Sequence, residues 1–377
     1  MRRKVSFFHI QGIIIIAFFF AGFRAGEPAG QIVVDNPDHP AAKNAGRTVH
    51  LEEVYRIRDD GEKIIFRNPG DFSLAGDGSL IFFDYPNLYK YDKNGRFVFK
   101  ALKSGVGPGE FHIWSSYFLT ADRIRVHAWR PSKLMDYDLN GRYLREIKTD
   151  NVPGPFSRLW SIDGRIYGLR DEIRYSDSIR KEGFITSPYV LYEISEDFQE
   201  QKRLCEFPVQ HYIKQASWWR RTMIAGAAFD HYLFVVHTAE YKIVKFDLRA
   251  ARIERIFKRD YRRRKSHDKV TEEDPYNPRA KSLAPPPEEY VFDVFGIKVF
   301  KNSLWVLTSM LKSGESQGLI DVFDMEGNYL DNFYLRFPNR QTQDIIDSLI
   351  SDDGFIFVPE QAEDGLVSIA KYRIKDK

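Results

Sequence analysis

From residue 49 onward the apolar positions come in short runs separated by turn-forming residues, and the runs fall into a recurring unit. Each unit has an apolar run, a tight Asp/Gly turn, a second apolar run, a variable loop, then an aromatic–acid pair and another turn. The first copy reads FSLAGDGSLIFFD (Phe72 to Asp84) and LYKYDKNGRFVFK (Leu88 to Lys100); later copies begin at Phe118, Arg158, Phe229, Gly296 and Ser348. The aromatic–acid pairs are Tyr91-Asp92, Tyr137-Asp138, Tyr192-Glu193, Phe246-Asp247 and Phe323-Asp324, with Tyr372-Arg373 in the same place in the last copy. Asp-x-x-Gly suits a hairpin, because Asp bonds its own backbone and Gly accepts a positive φ. The aromatic just before the acid faces the other side of its strand, toward a core.

Four short strands per unit and six units predict an all-β chain, a six-bladed β-propeller of four-stranded blades. The sixth copy ends before an outermost strand, while VHLEEVYRIR (Val49 to Arg58) alternates ahead of the first copy. Pairing that segment with the last blade would remove an exposed edge and close the ring.

Composition fits this reading. The chain has 377 residues, 43% of them hydrophobic and 15% aromatic, enough for a large core. A single cysteine, Cys205, excludes a disulfide framework and a Cys-rich zinc module. The net charge of +3 reflects Arg2, Arg3, Lys4 and Arg24 in a stretch without acids, so the body is close to neutral. A near-neutral body argues against nucleic acid as a partner.

Met1 to Lys4 is a positive start followed by an apolar segment from Ile10 to Phe23, shorter than the ~20 residues of a membrane-spanning helix. Residues 1–26 therefore read as a signal peptide ending at Ala25 or Gly26, with an uncleaved anchor as the alternative. No cysteine lies near it, which excludes a bacterial lipoprotein. Residues 27–48 read as a linker and 49–377 as the propeller, exported to the periplasm or secreted. The widest gap between aromatic–acid pairs holds a charged, Pro-rich insertion at 258–290, read as solvated; its Arg262, Arg263, Arg264 and Lys265 would suit lipid headgroups.

The six units, together with Gly105-Val106-Gly107-Pro108-Gly109-Glu110-Phe111 after the first, resemble the exported bacterial six-bladed propellers related to NHL-repeat and TolB-like proteins. The resemblance implies the fold and leaves activity open, since propellers host binders, scaffolds and enzymes.

The short Asp/Gly turns would share one face of the ring. The opposite face would gather the longer loops and with them the candidate ligand-binding residues His112, Trp114, Trp129, Arg130, Trp218, Trp219, Arg220 and Arg221. Aromatic rings with guanidinium forks suit sugars, acidic groups or a peptide, although the same rings could instead wedge between blades. A protein or peptide partner is favoured over a small molecule, because the surface is wide. Gly105 to Phe111 fails as a phosphate loop: no Lys-Ser/Thr follows, and Pro108 lacks an amide hydrogen. The histidines do not cluster, His127 and His237 fall in apolar runs, and no Gly-x-Ser-x-Gly elbow occurs. The expected function is a binding or scaffold protein without catalytic residues, metal or cofactor. The alternative is a metal-assisted lactonase or lyase with axial carboxylates and calcium, for which Asp84, Asp230 and Glu360 are scattered candidates.

Overall fold

The computed structural model describes residues 32–375, apart from 60–63, 174–181, 215–216, 221, 223, 267–288, 313–317, 339–347 and 363–364. Strands are numbered in chain order. Blade 1 is β3–β6 (Gly70–Leu74, Leu80–Asp84, Asn87–Tyr91, Phe97–Ala101), and blade 2 is β9–β12 (Ile113–Leu119, Arg123–Arg130, Lys133–Asp138, Tyr143–Lys148). Blade 3 is β13–β16 (Arg158–Ile162, Arg165–Asp171, Gly183–Ile194, Gln201–Lys214) with an added β17 (Ser217–Arg220). Blade 4 is β18–β21 (Ile224–Phe229, Tyr232–His237, Lys242–Asp247, Arg252–Arg259), and blade 5 is β22–β25 (Val294–Phe300, Ser303–Leu311, Gly318–Asp324, Tyr329–Arg336). Blade 6 joins β26–β28 (Leu349–Ile350, Phe355–Gln361, Val367–Lys375) to β2 (Arg47–Arg58). Two short parallel strands, β7 (Lys103–Ser104) and β8 (Glu110–Phe111), link the first two blades.

Each blade is covered on both sides, which explains why its second strand is buried at nearly every central position. Leu80 and Phe82 of β4 pack toward blade 6, while Ile81 and Phe83 pack toward blade 2. The described core forms six apolar clusters, and each one fills a single junction between neighbouring blades. The cluster of Ile57, Phe72, Phe82, Phe357 and Ile369 joins the last blade to the first and makes the core a ring.

Closure follows the expected route and adds to it. From His50 to Arg58, β2 runs antiparallel to β28 as the missing outer strand of blade 6. Its first residues, Arg47 to His50, also run parallel to β25, which merges blades 5 and 6 into one eight-stranded sheet. The 27–48 stretch is more than the expected linker, because β1 (Ile32–Asn36) lies parallel to β21 as a fifth strand of blade 4. Ala42 and Gly46 then donate backbone hydrogen bonds to Leu330 and Asn332 of blade 5, at 3.0 Å each. Residues 32–58 therefore form a strap across the outer edges of three blades. Three apolar residues followed by Asp35 and Asn36 make too short a pattern for β1 to be read from sequence.

The aromatic–acid pairs behave as their chemistry requires. The six aromatics are buried, and the acid caps the turn: Asp92 Oδ1 accepts the amides of Asn94 and Arg96 at 2.9 and 2.8 Å. The glycine of that turn meets an aromatic on the outer strand of the preceding blade. A Cβ on Gly327 would stand 2.1 Å from Phe257, one on Gly141 2.5 Å from Phe99, and one on Gly95 2.8 Å from Tyr55. Buried lysines reach across the same junctions, Lys90 Nζ to the Leu139 carbonyl at 3.0 Å and Lys245 Nζ to Glu326 at 3.3 Å. Gly327 also holds φ +91, where an L side chain is strained. Gly327→Ala is expected to cost about 3 kcal/mol from backbone strain and overpacking. Equilibrium denaturation measures it, and a loss below about 0.5 kcal/mol, the size of an ordinary surface change, would show that the turn is not clamped.

Candidate functional site

The tight turns between first and second strands, and between third and fourth, share one face. The opposite face is less even than its sequence suggests. The links between second and third strands shrink to Tyr85-Pro86 in blade 1 and Pro131-Ser132 in blade 2. In blade 3 the corresponding strands overshoot: Gly183 to Pro188 of β15 pair with Pro208 to Ile213 of β16 beyond the end of β14. The result is a low wall over blades 1 and 2 beside a raised hairpin on blade 3.

The eight sequence candidates separate on this face. His112 and Arg130 are exposed and adjacent, the His112 amide donating to the Arg130 carbonyl at 2.7 Å. Tyr85 joins them, its hydroxyl donating to the His112 carbonyl at 3.1 Å. Trp114 is a wedge rather than part of a platform, because its indole stacks on Phe83 at 3.8 Å within the core between blades 1 and 2. Trp129 is half-buried at the end of β10. Trp218, Trp219 and Arg220 lie in β17, whose backbone pairs with His211 to Lys214 of the raised hairpin. Their side chains, and Arg221 altogether, lie outside the described residues.

Gly105 to Phe111 is a turn fastened to blade 2. The Gly107 amide donates to Glu110 at 3.0 Å and the Gly109 amide to Glu146 at 3.1 Å, while Lys133 Nζ holds the Gly107 carbonyl at 2.8 Å. Two carboxylates occupy the amides that a phosphate would need. The insertion begins later than the expected residue 258, since Lys258 and Arg259 complete β21. Arg263 is held by Asp293 at 2.9 Å and lies over Tyr290, while Arg262 and Lys265 of the same run are exposed. Residues 267–288 lie outside the described residues.

The three carboxylates considered for an axial site each have another partner among the described residues. Asp84 caps the amides of Arg67 and Asn68, Glu360 pairs with Arg56, and Asp230 pairs with His231. Among the described residues no three His, Cys, Asp or Glu side chains come together as a metal-ligand group. Burial holds the Cys205 thiol near pKa 11, away from the reactive thiolate. His127 is fully buried against Phe156 and Phe198, and burial depresses it to about 3. Ser187, His211 and Asp171 do meet at the base of the raised hairpin, with Ser187 Oγ 2.9 Å from His211 Nε2. Asp171 approaches that same Nε2 at 3.5 Å, on the serine side of the ring rather than behind it as a proton relay requires.

One further site was not legible in the sequence. The innermost strands of blades 1, 2 and 3 enclose an axial cavity of about 210 Å³, lined among others by Asp71, Ser73, Tyr117, Arg158 and Trp160. Asp71 and Arg158 stand near the starts of their strands, so the charged end lies nearest the long-loop face. Asp71 Oδ1 is 3.9 Å from Arg158, and their side chains are 41% and 48% exposed. Crowding by the protein pushes the Asp71 carboxyl above its usual range, and Arg158 and Lys298 oppose that shift. Tyr117 is buried, and its hydroxyl donates to the Ile81 carbonyl at 3.0 Å and toward that of Asp71. The sequence signal was a Gly-Asp pair opening an inner strand, too common a pattern to single out.

With this geometry in hand, comparisons with known proteins bear on the fold. A family described as a six-bladed β-propeller, DUF5128, matches residues 77–215, from the first turn of the first blade through the third. No curated protein matches the chain. Among solved structures, a Bacteroides fragilis protein named as exported is similar with a TM-score of 0.53 and 16% identity, covering 91% of this chain and 100% of its own. A member of the DUF4221 family from Bacteroides vulgatus is similar with a TM-score of 0.55 and 13% identity, covering 87% of this chain and 99% of its own. At these identities the likeness concerns architecture, and it agrees with the cyclic core: the chain is a six-bladed β-propeller.

Proposed function

We propose that the chain is an exported propeller that docks a protein or peptide partner on its long-loop face and performs no chemistry of its own. The observation that supports this is where its exposed large apolar side chains lie. Ile65, Tyr85, Val106, Ile113, Phe184, Leu311 and Leu366 stand on the long-loop face, and the others decorate outer strands. Among the described residues none lies within a tight turn of the other face, and Phe97, which directly follows one, belongs to outer strand β6. Exposed apolar groups gathered on one side mark interaction surfaces. Export rests on the charged and apolar leader of residues 1–26 and agrees with the name of the Bacteroides fragilis neighbour. The partner is not nucleic acid, given the near-neutral body.

A photo-crosslinking residue placed at Val106 or Phe184 is expected to trap a discrete adduct in the native envelope. The same residue at Lys93 or Asn140, in tight turns of the other face, is expected to trap none. Equal labelling from both faces would sink the proposal.

A further inference from the structure

We propose that the axial cavity of the first three blades binds a small hydroxylated carboxylate of monosaccharide size, its carboxylate on Arg158 and a hydroxyl on Asp71. This site uses none of the residues of the docking surface and stands whether or not that surface has a partner.

Asp71 is the first reason. Among the described residues it is the one non-glycine with positive φ inside a strand, at +50, the others lying in turns or links. The β3–β4 register breaks at the same place, between Gly70 and Ser73. A bulge of this kind re-aims a side chain, and a strained conformation persists only where its surroundings enforce it. Here it presents a carboxylate to the cavity.

The second reason is the pair that does not close. At 3.9 Å, Asp71 and Arg158 stand beyond hydrogen-bond reach, and neither charged group has a hydrogen bond among the described residues. A charge-assisted hydrogen bond is made at about 2.8 Å, and this pair makes none. The gap leaves one acceptor and one planar fork of donors side by side, open to the same space.

Charge and lining then select the ligand. Asp71, Arg158 and Lys298 are the charged residues of the described inner strands, an excess of one positive charge. That favours a monoanion. Two cations near Asp71 disfavour an ammonium there, and Asp71 disfavours a phosphate dianion, so a carboxylate with hydroxyls fits both neighbours. Ser73, Ser116 and Ser161 add hydroxyls, and Trp160 adds a ring face. The 210 Å³ corresponds to about seven waters of liquid volume.

Isothermal titration of the full chain with glucuronate tests this, with glucose and acetate as the arms lacking the charge and the hydroxyls. Glucuronate is expected to bind at least about tenfold more tightly than either. Arg158→Ala should abolish that preference over glucose. Asp71→Asn tolerates the same backbone and should narrow the preference over acetate. Melting curves check that both variants fold, and Arg158→Lys, which keeps the charge but loses the fork, serves if Arg158→Ala does not; it should weaken glucuronate at least several-fold. No heat from the native chain at millimolar glucuronate, equal binding of glucose, or unchanged affinity in folded Arg158 variants would each overturn the proposal.

Discussion

Deleting residues 47–58 is expected to abolish the cooperative unfolding transition of the whole chain. β2 supplies the outer strand of blade 6 and also pairs with blade 5, so its removal leaves β28 and β25 with open edges. It takes Val49, Leu51 and Ile57 out of two junctions of the ring. Burying each of these stabilises the fold by about 2 kcal/mol, and the three together reach the lower range of a whole domain's stability. Circular dichroism across a thermal ramp decides the matter. A sharp transition at the native temperature would show that the strand is a dispensable tail.

Asp321→Ala is expected to destabilise the chain by about 3–5 kcal/mol, because it strands a buried cation. The Asp321 carboxylate receives Arg259 across the junction of blades 4 and 5, together with the hydroxyls of Tyr241 at 2.6 Å and Tyr329 at 2.7 Å. Arg259 in turn lies over the rings of Tyr241, Tyr261 and Tyr329. Burial pushes the carboxyl above its usual range while Arg259 favours its charged form, so the two groups depend on one another. Asp321→Asn keeps an acceptor for the hydroxyls and isolates the charge. Denaturant unfolding should place it between Asp321→Ala and the native chain, and a native-like midpoint for Asp321→Ala would refute the account.

The ring could be read from the sequence because the determinants of each blade are local: a buried aromatic, an acid capping its own turn, and a glycine within a few positions. Val49 to Arg58 was legible for the same reason, as an alternating segment with an obvious vacancy at the other end of the chain. The site was not legible, because it depends on which side chains from distant blades converge. Asp71 and Arg158 are ordinary strand residues until the ring sets them 3.9 Å apart. Trp114 misleads in the opposite sense: beside His112 it resembles part of a binding surface, yet Phe83 receives it in the core. The height of the blade 3 hairpin escapes notice because Gly183 to Pro188 and Pro208 to Ile213 pair with each other beyond their blade.

The strap also fixes an order of events. Asn36 bonds the carbonyls of Lys258 and Gly327 and receives the amide of Tyr329, and β2 finds its last partner at Lys375. Asn36 and His50 are thus seated on stretches more than 200 residues further along the chain. Contacts so far apart in sequence make closure a late step in folding. The ring has no complete blade 6 until residues from both stretches have met.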